Sequence, residues 1–255
     1  MSWSYLEAEA EELVRLACPL DFNNRPLYVV SEEGRGNALG FTFVGLDLVF
    51  RKHLKRRGRW NGRGPCLCVN RADLPSLVAP RCRFLNRYGV QRMLKKAFLG
   101  VVAHEVAHIV DAFNNWPVTE ESGTPLNVLA GVAREHIHDD KPLSMMPVPF
   151  IAHEWRFIRA CLHLDYRLDR LVNGGVDPAV DTLTYGLESG IDRYRDAIGS
   201  EPEQCDGYSL SEILATPPPT TFAKLWRHDV VAWLSQTKAA GHAVQSCGDR
   251  LWPPT

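Results

Sequence analysis

From about Gly89 to Phe113 the chain carries no proline and, past Gly89 itself, a single glycine, Gly100. Over that stretch Leu94, Ala97, Phe98, Val101, Val102, Val106, Ile109, Val110 and Phe113 cover almost every side of a helical wheel. A helix apolar on all sides is predicted to be central, with other elements packed around it. Asn114-Asn115-Trp116-Pro117 supplies its stop signal. The remainder must provide the covering layers, and 45% apolar residues in a chain of 255 suffice for one substantial core or two small ones.

Set inside this apolar stretch is His104-Glu105-Val106-Ala107-His108. Residues four apart lie one turn apart on the same helical face, so both imidazoles can aim a nitrogen at one point. Glu105, about 100° round from His104, can meet a water on a metal held there without ligating the metal itself. Nine His and fifteen Glu placed at random in this length would produce the pattern about 0.02 times. An unpaired polar group on a buried helix costs about 1 to 3 kcal/mol, and a charge more. The competing reading is two core histidines hydrogen-bonded to neighbours.

The segments on either side divide by type. Met1 to Arg15 is acidic and helical in period, without the basic opening or apolar stretch of a secretory signal. Arg25 to Val30 reads as a strand, Leu39 to Phe50 as a second, and Cys66 to Asn70 as a third, with turns at Leu74-Pro75 and Ala79-Pro80. Downstream, Thr119 to Pro149 suggests a short helix and irregular chain. A strong helix is expected from about Phe150 to Val172, and another from Phe222 to Ala240 behind the break Pro217-Pro218-Pro219. The class expected is α+β: a small N-terminal mixed sheet packed on the buried helix in residues 1–120, then a mainly helical lobe in 121–255.

The segment His104-Glu105-Val106-Ala107-His108, on a buried helix following a small sheet, resembles the zincin superfamily of metallopeptidases. The resemblance implies one Zn2+ ion held by His104 and His108, with Glu105 as the general base that activates a zinc-bound water to hydrolyse peptide bonds in a peptide or protein substrate. Such a zinc needs a third protein ligand. Metzincins place a Gly three residues past the second His and a third His beyond it; here those positions hold Asp111 and Asn114. The gluzincin arrangement, in which a Glu of a separate downstream helix closes the site, fits better. Glu154 lies at the centre of the apolar arc of the Phe150–Val172 segment, among Phe150, Ile151, Ile158, Cys161 and Leu162. His153, Asp111, His136 and His138 are the alternatives, and an ion pair with Arg159 is the competing reading of Glu154. Gluzincins commonly carry an acid four residues after that Glu; here it is Ile158, so Asp111 or Asp165 is left to support a ligating His. Tyr166, Tyr185, His136, His138 and His228 are all able to donate to a tetrahedral intermediate.

Residues 51–100 hold 14 Lys plus Arg against one acid, Asp73, a local charge of +13 within a chain of net charge −1. The densest part, Arg51 to Arg59, reads as a solvated basic loop paired with acids of the same chain, or as a patch for nucleic acid. Two rival functions follow: a nucleic-acid-associated protein, and a non-catalytic binding protein on the zincin frame. Seven scattered cysteines fit reduced thiols in a cytoplasmic protein, with a structural metal at Cys66, Cys68 and Cys82 the lesser possibility. No apolar run reaches the length of a membrane span.

Overall fold

The computed structural model of the chain describes residues 2–22, 24–34, 39–43, 45–114, 155–173 and 191–239. The elements in the first half are α1 (Trp3–Ala17), β1 (Tyr28–Glu32), β2 (Gly40–Thr42), α2 (Leu46–Arg56), β3 (Cys66–Asn70), α3 (Leu74–Val78) and α4 (Arg87–Asn114). Those in the second half are α5 (Trp155–Asn173), α6 (Ile191–Ile198), α7 (Glu201–Gln204), α8 (Leu210–Ala215) and α9 (Thr220–Ala239). The chain is therefore α+β, with a small N-terminal sheet among helices and a mainly helical C-terminal part.

The sheet is mixed, in the order β1-β3-β2. β1 runs parallel to β3 with Tyr28 opposite Cys66, while β2 runs antiparallel to β3 with Phe41 opposite Cys68. Alternation along the strands splits the side chains between two faces. Val29, Leu67 and Val69 enter the main core with α1, α4 and α5, whereas Tyr28, Val30, Cys66 and Cys68 meet Leu46, Phe50 and Leu54 of α2. Helices on both faces explain why every residue of β3 is buried.

The stretch Leu39 to Phe50, expected as one strand, is a three-residue strand followed by the start of α2. Gly45, at φ 88°, makes the left-handed turn between them. The basic run is likewise not a loop as far as Arg56. Leu46, Phe50 and Leu54 recur every fourth residue and are buried, so Arg51, Lys52, Lys55 and Arg56 lie on the outer faces of an amphipathic helix. The turns expected at Leu74-Pro75 and Ala79-Pro80 are α3 and a 3-10 turn at Ala79–Cys82. Proline is tolerated in a first helical turn, where its missing N–H has no intrahelical partner to lose.

Basic residues after α2 turn inward onto acids. Glu7 of α1 is fully buried and accepts from the Ser31 N–H at 2.9 Å, the Ser31 hydroxyl at 2.7 Å and Arg57 at 2.8 Å. Arg59 donates to Glu7, to Glu11 and to the Val29 carbonyl, and Arg63 pairs with Asp47 at 2.6 Å. α1, β1 and the segment after α2 are thus joined by a network of charged hydrogen bonds through Glu7, Glu11, Arg57 and Arg59.

In the second half, α5 packs on α4 and α1, and Phe157, Ile158, Cys161, Leu164 and Leu168 continue the same core. The helix α8 opens with a capping box between Ser209 and Glu212, and Asp21 accepts from the Leu210 and Ser211 N–H groups. Asp21 thereby ties the end of the α1 region to the C-terminal part. The boundary expected near residue 120 lies outside the described residues, and no described helix is long and apolar enough to cross a membrane.

Replacing Glu7 with Ala leaves two arginines and the Ser31 donors without their buried acceptor. The expected loss is on the order of 3 kcal/mol in urea unfolding; a loss within about 0.5 kcal/mol, the range of ordinary surface changes, would show that the network adds little.

Candidate metal centre

The helix α4 is central, as its apolar circumference requires. From Lys96 to Val110 every residue is buried except His104 and His108, which are half-buried. The two imidazoles therefore occupy the one side of this segment that other elements leave partly open. Their ring centroids are 5.1 Å apart with planes at 76°. Phe157 of α5 touches both, edge-on to His104 at 4.9 Å and stacked on His108 at 4.1 Å. An aromatic ring packed against two imidazoles restricts how they can turn.

Glu105, the next residue along from His104, is buried against the edge strand β2. Burial, with no cation or donor among the described residues to offset it, pushes its pKa up to about 8. Gly40 of β2 lies directly against it: a Cβ there would stand 2.9 Å from Glu105 Oε1 and 2.6 Å from Val101 Cγ1. Only glycine lets the strand approach this closely. The carboxylate is therefore enclosed between α4 and the antiparallel strand β2.

The structure thus brings His104, Glu105 and His108 onto one turn of a buried helix. Glu154 and its alternatives His153, His136 and His138 lie outside the described residues, as does Tyr185. Asp111, the remaining alternative, is half-buried and 3.5 Å from the Arg156 guanidinium. Among the described residues no compact set of three ligand-type side chains includes His104 or His108. Arg159 hydrogen-bonds the Ile213 and Thr216 carbonyls and pairs with Glu201. Asp165 is 3.7 Å from Arg195. Cys66 and Cys68 are buried thiols whose burial raises their pKa, that of Cys68 to about 12, and they join no such set either.

Two participants escaped the sequence reading. Phe157 carried a signal, because it lies on the same apolar arc as Ile158 and Cys161. Gly40 carried almost none, since nothing local shows that its partner is sixty-five residues away. One compact set of ligand-type side chains does occur among the described residues, His163, Glu201 and Cys205, with donor atoms within 4.8 Å of one another. His163 falls on the polar side of the α5 wheel, yet it is fully buried beneath the later helices.

Gly40→Ala drives a methyl group into Val101 and Glu105, and a loss of about 1 to 3 kcal/mol is expected from overpacking; unchanged thermal stability would show that β2 yields freely. In metal-chelated protein the raised pKa of Glu105 has a definite sign. Between about 4.5 and about 8 the folded chain holds a proton that the unfolded chain has released, so stability falls as pH rises across that window. Glu105→Gln is expected to flatten that fall in urea midpoints measured across the window, and an unchanged slope would place its origin elsewhere.

No protein-family model matches the chain, and neither a curated protein nor a solved structure shows significant similarity to it.

Proposed function

We propose that the chain is a zinc-dependent metallopeptidase with a zincin-like site, in which His104 and His108 hold the ion, Glu154 completes the protein ligands and Glu105 is the general base. The observation that carries this reading is the exposure pattern of α4, where the two histidines alone interrupt burial between Lys96 and Val110 and Glu105, next to His104, is a buried acid with no charged or hydrogen-bonding partner among the described residues. Two core histidines in a purely structural role would be expected to be buried like their neighbours.

The residues present suit the ion. Neutral imidazoles at i and i+4 are zinc donors by chemistry and spacing. A buried carboxylate raised to about 8 gains from a nearby cation, which favours its ionised form. Glu154 stands three residues before Phe157 in the sequence, and Phe157 is the residue whose ring meets both imidazoles. Bound there, zinc would polarise a substrate carbonyl and lower the pKa of a water toward about 7.

The work of the chain itself is to orient and to move a proton. Phe157 limits the rotation of the imidazoles, so the donors are held before the ion arrives. Glu105 takes a proton from the attacking water and returns it to the leaving nitrogen. Its enclosure by Gly40 fixes where the carboxylate can reach. β2 pairs only with β3 among the described residues, so its outer main-chain groups can receive an extended peptide alongside Glu105. That arrangement favours a peptide as substrate. The nucleic-acid reading has less support, because Arg57, Arg59 and Arg63 are engaged with Glu7, Glu11 and Asp47.

Glu105→Gln is expected to keep its zinc while losing about 100-fold or more in cleavage of an unstructured protein substrate. His108→Ala and Glu154→Ala are each expected to lose one zinc equivalent per chain by elemental analysis, and His153→Ala none. Undiminished cleavage by Glu105→Gln would sink the peptidase reading. Zinc retained in full by His108→Ala would sink the site. Metal binding without hydrolysis of any peptide library would leave a binding protein.

A further inference from the structure

We propose that His163, Glu201 and Cys205 form a second metal site, structural in role, for zinc or another divalent cation that accepts a thiolate. It is separate from the His104 and His108 pair and does not depend on the peptidase reading.

The site is assembled from two helices. Glu201 opens α7 and Cys205 caps its end, with the Cys205 N–H donating to the Glu201 carbonyl at 3.0 Å. Four residues apart, they lie on the same side of one turn and face His163 on α5. All three donor atoms are within 4.8 Å of one another, and His163 Nε2 is 3.6 Å from Glu201 Oε2. Tetrahedral zinc bonds of about 2.0 to 2.3 Å place neighbouring donors roughly 3.5 Å apart. The imidazole and the carboxylate already stand at that separation.

The polar atoms here are incompletely paired. His163 is fully buried, and neither ring nitrogen has a hydrogen-bond partner among the described residues. Glu201 Oε2 is also buried without one, whereas Oε1 pairs with Arg159. A buried imidazole and a half-paired buried carboxylate oxygen facing each other are costly unless something lies between them. The Arg159–Glu201 pair accounts for Oε1, while Oε2 and His163 Nε2 stand 3.6 Å apart, at ion-pair distance but beyond a hydrogen bond, and His163 Nδ1 has no hydrogen-bond partner among the described residues. A cation between them satisfies His163 Nε2 and Oε2 together.

The donor set selects the ion. Nitrogen, oxygen and sulfur together suit zinc, and magnesium or calcium would call for oxygen throughout. Arg159, anchored on the Ile213 and Thr216 carbonyls, orients the carboxylate and partly balances the thiolate and Glu201 charges. The fourth position remains for water or another donor. So placed, the ion would pin α5 to α7, and α5 is the helix that carries Phe157.

Cobalt(II) substitution in the intact chain tests this. A thiolate ligand gives a sulfur-to-cobalt charge-transfer band in the near ultraviolet, which imidazole and carboxylate ligands do not. The band is expected in the wild type and in His104→Ala/His108→Ala, where one zinc per chain should remain. It should vanish in Cys205→Ser and persist in Cys82→Ser. Absence of the band from the wild type, or its survival in Cys205→Ser, overturns the proposal. Should Cys205→Ser fail to fold, zinc-edge anomalous scattering from crystals of the unmodified chain decides. A peak bonded to His163, Glu201 and Cys205 supports the site, and zinc peaks only elsewhere overturn it. Zinc found at His163, Glu201 and Cys205 but not at His104 and His108 of the unmodified chain would count against the peptidase site and leave this one standing.

Discussion

The desolvation of α4 is the constraint on which the remaining structure depends. A helix that presents apolar residues on all sides has to be enclosed, and no single layer of protein can enclose it. The sheet with α1 covers one side and α5 covers another, so N-terminal and C-terminal elements share one core. Polar groups placed on such a helix are tolerated only where something answers their charge or hydrogen-bonding capacity. Glu105 is a group on α4 for which the described residues hold no such answer.

Much of the frame was legible in the residues, for physical reasons that can be named. α4 announced itself by an unbroken apolar circumference, β3 by a short β-branched and cysteine-rich run between turns, and α9 by the prolines that precede it. Leu39 to Phe50 has the apolar content of a strand, but Leu46, Phe50 and Leu54 have helical spacing, which the basic residues between them mask. The prediction that basic residues pair within the chain corresponds to Arg57, Arg59 and Arg63, although which acids they meet could not be read, because Glu7 and Arg59 are fifty-two residues apart.

The same limit governs the residues of the two candidate sites. His104, Glu105 and His108 are local in sequence, so helical geometry alone brings them together. Glu201 and Cys205 are local as well, but short α7 has no apolar stripe to show which side faces inward. His163 meets them only after some forty residues of intervening chain. A helical wheel of α5 displays one apolar arc and is blind to a second layer on its polar side, where His163 is nonetheless fully buried.

Phe157 carries a further implication for the history of each molecule. The sheet and α4 are encoded before residue 115, whereas the ring that backs both imidazoles follows His108 by forty-nine residues. At about 5 to 20 residues per second, synthesis leaves the pair without that backing for roughly 2 to 10 seconds. During that interval α4 has one bare apolar flank and two imidazoles free to turn. How the two rings settle is then a matter of the order of synthesis as well as of packing.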